Sequence, residues 1–151
     1  MRTSEFFKTT LPGARTVTVM APTFSAIGLV VADMATSLAF YRALGLDLPP
    51  ELDREGHAEA ALPGGIRLMF DTHESLRSFD PDFRPPTGEG PSLAFRCADA
   101  GEVDAVHAAM VAAGHRSRML PWDAAWGQRY AVLADPDGNT VDLFAPLTEP
   151  G

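Results

Sequence analysis

The sequence repeats one pattern twice, and this repeat limits the possible folds more than any other feature of the chain. The segments 26–33 (AIGLVVAD) and 92–99 (SLAFRCAD) are each a short apolar run that ends in Ala-Asp. After each run, apolar residues recur at helical spacing. Asp33 and Asp99 stand at the N-cap positions of these two helical stretches, and Gly45 and Gly114 stand just past their ends. The pattern predicts a strand followed by a helix, in two copies.

Each copy closes with a glycine-containing turn and an apolar strand that ends in Phe, at 63–70 (PGGIRLMF) and 136–144 (PDGNTVDLF). Between helix and closing strand there is room for two more strands per copy. We place them near 46–50, 55–62, 115–121 and 126–134. The sequence therefore predicts an α+β fold of two tandem βαβββ modules.

These elements divide the chain into an arm and one domain. We predict an N-terminal arm at 1–22, either flexible or docked as a strand on a neighbour, and a single domain at 23–148. Its modules span about 24–71 and 90–146. The connector at 72–89 is rich in Pro, Asp, Gly and Ser and is predicted to be a loop.

Composition excludes several classes of function. The 151 residues carry a net charge of −8 and show no basic patch, so we expect no nucleic-acid partner. No apolar run approaches the ~18–20 residues that span a membrane, and the N-terminus lacks the apolar core of a signal peptide. We therefore expect a cytoplasmic protein without a membrane partner. The single cysteine, Cys97, excludes an intrachain disulfide framework.

Two motifs carry a resemblance to a known family. SLAFYRALGL at 37–46 and WGQRYAVLADPDGNTVDLFAP at 126–146 are specific in combination. With the repeat, they resemble the vicinal-oxygen-chelate superfamily (glyoxalases, bleomycin-resistance proteins and ring-cleaving dioxygenases) over about residues 24–147. The metal-free antibiotic-binding members are the most similar. The resemblance implies an incomplete eight-stranded barrel around a cleft, and a homodimer that shares its ligand grooves.

The resemblance also identifies the positions at which family metalloenzymes carry His, Glu or Gln ligands. The repeat places these positions at Ala26, Leu68, Ser92 and Asp142. Only Asp142 is a plausible ligand, and a catalytic divalent metal needs about three protein ligands. We therefore predict no metal site and no cofactor.

Strand alternation predicts which side chains face the cleft. The mainly apolar set is Phe24, Leu68, Phe70, Ser92, Arg96 and Asp142. A carboxylate on such a face needs a partner or solvent, and we expect Arg96 or Ser92 to pair with Asp142.

The aromatic segment PWDAAWGQRY at 121–130 adds Trp122, Trp126 and Tyr130. It resembles the Pro-Trp-Gly region of bleomycin-resistance proteins, with an insertion, and that region helps to form a groove for flat aromatic drugs. We predict that all three residues bind ligand. An alternative is that Trp126 and Tyr130 pack inside the barrel.

The favoured function is metal-independent binding and sequestration of a small planar or aromatic natural product, as in bleomycin-resistance proteins. The alternative is a metal-independent isomerase, cyclase or lyase of secondary metabolism, with Asp142 as general base and His73 or Arg96 assisting. A glyoxalase- or dioxygenase-type metalloenzyme is a third hypothesis, since a register error of one residue exchanges the two faces of a strand.

Overall fold

A computed structural model describes residues 6–10 and 16–148, with side chains from residue 21 onward. The strands are β1 (Phe6–Thr10), β2 (Thr16–Met20), β3 (Ala26–Val31), β4 (His57–Ala61), β5 (Arg67–Thr72), β6 (Leu93–Arg96), β7 (Arg116–Asp123), β8 (Gln128–Ala134) and β9 (Thr140–Pro146). The α-helices are α1 (Met34–Ala43), α2 (His73–Arg77) and α3 (Ala100–Ala112), and short 3-10 helices span Pro50–Arg54 and Pro63–Gly65. The predicted mixed α+β class is confirmed.

The C-terminal module has the complete predicted pattern of one strand, a helix and three strands. Its four strands form one sheet in the order β6-β9-β8-β7, in which β6 is parallel to β9 and the other pairs are antiparallel. Helix α3 begins after Asp99, whose carboxylate accepts a hydrogen bond from the Glu102 N–H at 2.8 Å. It ends before Gly114, which adopts a positive φ of 96°.

The N-terminal module lacks one of the predicted strands. Residues 46–49 are irregular and Pro50–Arg54 forms a 3-10 helix, so the sheet has three strands in the order β3-β5-β4. The strand predicted near 46–50 is wrong because Pro49 and Pro50 stand in succession, and a proline cannot donate to a strand ladder. Within the described residues, the modules form separate three- and four-stranded sheets and no closed barrel, so the predicted incomplete barrel of eight strands is not confirmed.

Two further parts of the chain differ from simple loops. The connector contains helix α2, which Thr72 caps by accepting a hydrogen bond from the Ser75 N–H. Strands β1 and β2, in the region predicted to be an arm, pair antiparallel, with Phe6 opposite Met20. None of the helices in the described residues is long and apolar enough to cross a membrane.

A polar cluster, here called the intermodule lock, joins helix α1 to the β8–β9 turn. The buried carboxylate of Asp135 accepts the Tyr41 hydroxyl at 2.6 Å and the Asn139 side-chain amide at 2.9 Å. Burial, with this hydrogen bond, raises the pKa of Tyr41. Asp137 in the same turn accepts the Ser37 hydroxyl at 2.9 Å. The motif Asp-Pro-Asp-Gly is therefore a contact between modules as well as a turn.

Candidate functional site

The face of each sheet that points away from the helices is open, and the open face of the C-terminal sheet is aromatic. Cross-strand pairing places Trp122 opposite Tyr130, Tyr130 opposite Phe144, and Phe144 opposite Arg96. These side chains therefore form a row across all four strands, because directly paired residues share a face.

Three of the aromatic rings are in mutual contact. The centroid of Tyr130 lies 5.4 Å from that of Trp122 and 5.3 Å from that of Trp126, and the two indoles are 6.1 Å apart. All three pairs meet edge to face, a favourable arrangement for aromatic rings. Trp126 nevertheless remains 61% exposed. We call Trp122, Trp126, Tyr130 and Phe144 the aromatic wall.

A tight turn between β7 and β8 sets the position of Trp126. The Gly127 N–H donates to the Ala124 carbonyl at 3.0 Å, and Gly127 has a φ of 91°, which glycine adopts without strain. The indole Nε1 of Trp126 then donates to Oε1 of Gln128 at 2.9 Å. The exposed indole is therefore held in one orientation by its own hairpin.

Asp142 lies beside the wall and is paired with Tyr130, whose hydroxyl donates to Oδ2 of Asp142. Partial burial and this hydrogen bond raise the pKa of Tyr130 to about 12, so the phenol stays protonated at neutral pH. The expected pairing of Asp142 with Arg96 or Ser92 is wrong, because the phenol one strand away reaches the carboxylate diagonally.

The open face of the N-terminal sheet is charged instead. The ring nitrogens of His57 lie 2.7 Å from an oxygen of Asp71 and 2.7 Å from an oxygen of Glu59. Both carboxylate oxygens of Glu59 also accept hydrogen bonds from Nη1 of Arg67, at 2.9 and 3.1 Å. The hydrogen bond to Glu59, then that to Asp71, raises the pKa of His57. We call these four residues the ionic face.

Sequence reasoning missed the ionic face, although a signal for it was present. His57 and Glu59 alternate along one strand, and Arg67 and Asp71 occupy one side of the next. Period-two alternation of charge on two adjacent strands indicates a shared polar face.

Leu68 and Phe70 are on the opposite face of the sheet from the one predicted. In the parallel pairing, Leu68 is opposite Ile27 and Phe70 is opposite Leu29, so both point toward the helices. They are 1% and 0% exposed, and the Phe70 ring lies 5.3 Å from that of Tyr41. The prediction failed because it treated Phe70 as the counterpart of Phe144, which occupies the open face.

Three of the other predicted site residues share a second location, and one lies apart from both groups. Leu68, Ser92 and Arg96 line an apolar groove beside β6, with a volume of about 630 Å³. Phe24 precedes β3 and is 63% exposed. The structure therefore brings together Trp122, Trp126, Tyr130 and Asp142, and separately Leu68, Ser92 and Arg96.

His73, the proposed assistant to Asp142, lies elsewhere. Its ring packs on Phe83 of the connector, with centroids 5.7 Å apart, and it lines a small cavity with Asp137 and Asn139. It shares no described contact with the aromatic wall.

The residues at the family's metal positions do not fit a catalytic metal ion. Ala26 has no donor atom, and the side chain beside it on the open face is the cation Arg67. Asp142 pairs with Ala94 across the sheet and is hydrogen-bonded to Tyr130. Among the described side chains, no group of three or more His, Cys, Asp or Glu residues could hold a metal ion. We therefore assign no metal chemistry to this face.

The chain is similar in sequence and in fold to known proteins. The family model described as Glyoxalase/Bleomycin resistance protein/Dioxygenase superfamily matches residues 23–143. A glyoxalase/bleomycin resistance protein/dioxygenase from Nocardioides is 27% identical with a TM-score of 0.67, covering 89% of this chain and 91% of its own. A family enzyme from Burkholderia phytofirmans PsJN is 22% identical with a TM-score of 0.70, covering 82% and 98%.

One further neighbour has a more specific description. A lactoylglutathione lyase from Agrobacterium tumefaciens is 21% identical with a TM-score of 0.61, covering 82% of this chain and 93% of its own. At that identity the likeness concerns the fold alone. No protein of curated function matches the sequence.

Proposed function

This chain belongs to the glyoxalase/bleomycin resistance protein/dioxygenase superfamily, and from that premise we propose that it binds and sequesters a small planar or aromatic molecule without a metal ion. The ligand would lie on the aromatic wall. The observation that carries the proposal is a tryptophan that is held in one orientation by its hairpin and is still 61% exposed.

The arrangement of the wall favours a flat ligand. Trp122 and Tyr130 each meet Trp126 edge to face, and 61% of the Trp126 residue is still exposed, which leaves indole surface available for stacking. A stacked aromatic pair contributes about 0.5–1.5 kcal/mol beyond the burial of area. Because the supporting rings are already in place, little conformational freedom is lost when a ligand binds.

Asp142 supplies a polar group at the edge of this surface. Its carboxylate is tied to Tyr130 through one oxygen, and it lies on the same face as the wall. A ligand with a hydrogen-bond donor or a cationic group beside its planar part would satisfy the second oxygen. The net charge of −8 would also favour the approach of a cationic molecule.

Tryptophan fluorescence tests the proposal directly, because the only two tryptophans of the chain both belong to the wall. We expect saturable quenching when the full chain is titrated with bleomycin or the planar dye proflavine in the presence of a chelator. Trp126→Ala should weaken the binding by about tenfold, with Trp122 as the remaining reporter.

A matched control separates stacking from a general loss of exposed aromatic surface. Phe79 in the connector is 70% exposed, close to the value for Trp126. Phe79→Ala should leave the affinity unchanged. Equal losses in the two variants, or binding that appears only after a divalent metal is added, would contradict the proposal.

The Tyr130–Asp142 pair supports a second candidate function, a metal-independent isomerase, cyclase or lyase. The carboxylate would accept a proton, and the neighbouring phenol, with its pKa near 12, would donate one. Recovery of the bound molecule by mass spectrometry and NMR distinguishes the two functions. An unchanged ligand supports sequestration, and an altered one supports catalysis that Asp142→Asn should abolish.

A further inference from the structure

We propose that the chain has a second binding site, in the apolar groove beside β6, for a small molecule with an apolar body and a carboxylate. The groove has a volume of about 630 Å³, within the range of ~300–1,000 Å³ for small-molecule sites. Arg96 and Tyr130 are two strands apart in the sheet, which corresponds to about 10 Å. The site therefore borders the aromatic wall only at Phe144, which lies opposite Arg96, and it runs along β6 away from Trp122, Trp126 and Tyr130. The proposal does not depend on the function proposed for those three rings.

The lining of the groove is apolar and incompletely covered. Ile27, Leu62 and Phe95 are half-buried, pack on the core on one side and border the groove on the other. When a ligand covers exposed apolar surface of this kind, binding is favoured by about 25 cal/mol for each Å² removed from water. An aliphatic chain or an aromatic ring would therefore bind here favourably.

The edge of β6 forms one wall of the groove. All five residues from 92 to 96 line it, although successive side chains in a strand point to opposite faces. The groove must therefore run along the edge of the strand. Because β6 pairs only with β9 among the described strands, the backbone N–H and C=O groups of its other edge are available to a ligand.

Charge determines the class of ligand. Arg96 is exposed, lines the groove and makes no ion pair within the described part of the chain. No carboxylate is among the lining residues. The neighbouring acids are engaged elsewhere, since Asp142 accepts from Tyr130 and Asp99 caps helix α3.

A guanidinium beside an apolar groove is suited to a carboxylate, which it can bind through two parallel hydrogen bonds. The Ser92 hydroxyl is also in the lining and offers a further donor. Strand β6 has only four residues. This short edge favours a compact ligand over an added peptide strand.

Calorimetry on the full chain with three ligands of one tail length tests this assignment. Decanoate, decanol and decylamine share the apolar chain and differ in the charge of the head group. We expect decanoate to bind with one molecule per chain and at least about tenfold more tightly than the other two. Equal affinities, or tighter binding of the amine, would overturn the proposal.

Two arginine variants provide the matched comparison. Arg96→Gln should weaken decanoate binding by about tenfold and leave decanol binding unchanged. Arg67→Gln removes the arginine that Glu59 already engages and should have no effect. Circular dichroism and thermal unfolding of both variants confirm that each is folded.

Two further results would also reject the site. If Trp126→Ala reduces decanoate affinity as much as Arg96→Gln does, the acid binds on the aromatic wall. If light scattering shows a dimer whose dissociation is required for decanoate to bind, a second copy of the chain covers the groove. Independence from Trp126 and from protein concentration supports the proposal.

Discussion

Each module of this chain contributes a helix and an apolar sheet face to the buried core, but the open faces of the two sheets differ in chemistry. In the C-terminal module the open face has the aromatic wall and Asp142, on four strands. In the N-terminal module it has the ionic face, on three strands. A repeated fold thus keeps the side that must pack and varies the side that does not. Function in such a chain is best sought where the copies differ.

The test with the largest expected effect replaces the closing phenylalanine of each module by alanine, one at a time. Phe70 is completely buried beneath Tyr41, whereas Phe144 is only partly buried on the open face. We expect Phe70→Ala to lower the free energy of unfolding by about 4 kcal/mol and Phe144→Ala by about 1–2 kcal/mol. Urea denaturation measures both.

The ratio of these two effects is the informative quantity. If both variants lose the same stability, the two phenylalanines are equivalent, and the assignment of Phe70 to the helix-facing side is incorrect.

The next test concerns the intermodule lock. Asp135→Asn replaces an acceptor that also receives the backbone N–H groups of Asp137 and Asn139, at 2.9 and 2.8 Å. Because buried donors would lose their partner, we expect a loss of about 3 kcal/mol in unfolding free energy. Asp137→Asn, at an exposed position of the same turn, should cost about 1 kcal/mol.

Thermal unfolding followed by two probes shows whether the lock couples the modules. A single transition that becomes two in Asp135→Asn would sharpen the comparison, because the modules would then unfold separately. An unchanged midpoint would show that the lock contributes little.

A smaller test uses one histidine from each module. The pKa of His57 is raised, so the folded state holds the proton more tightly than the unfolded chain. Its stabilisation is present below the unfolded pKa of 6.5 and is lost as pH rises through the folded value. Burial lowers the pKa of His107 on α3, so its contribution has the opposite sign, and stability falls as pH drops below 6.5.

Denaturant midpoints on either side of the histidine pKa, near about pH 5.5 and about pH 8.5, measure these contributions. Relative to the parent chain, His57→Gln should lose more stability at the lower pH and His107→Gln more at the higher pH. The difference for His57 should be under about 1 kcal/mol, because its side chain is 44% exposed and solvent screens its ion pairs. The same sign for both histidines would contradict the contrast between the modules.

The smallest expected change in stability belongs to the residue with the largest expected role in binding. Trp126→Ala removes a side chain that is mostly in solvent. We expect the free energy of unfolding to change by no more than about 0.5 kcal/mol, as measured by urea denaturation monitored by circular dichroism. A larger loss would indicate that Trp126 packs the domain rather than a ligand.

Sequence alone was sufficient for the features that depend on local chemistry. The repeat, both N-caps and the full C-terminal module follow from periodicity and capping residues, since Asp33 and Asp99 each accept from the third residue of the helix that follows. The grouping of Trp122, Trp126 and Tyr130 also follows, because a hairpin necessarily brings its two arms together.

The features that depend on register could not be predicted in the same way. A shift of one residue moves a side chain to the other face, and this accounts for Phe70. Asp142 accepts a hydrogen bond from Tyr130 and does not pair with Arg96, because diagonal contacts depend on which strands are neighbours. The alternating charges of the ionic face can be read from the sequence, but the pairing of His57 with Asp71 depends on the register of β4 against β5.

The missing strand of the N-terminal module has a consequence for how the protein behaves in concentrated solution. Among the described strands, β4 has a neighbour on one side only. A free strand edge of this kind is a template for aggregation, and charged side chains on it are a common defence. His57 and Glu59 occupy alternate positions of that strand. The ionic face therefore doubles as protection against edge-to-edge association between molecules.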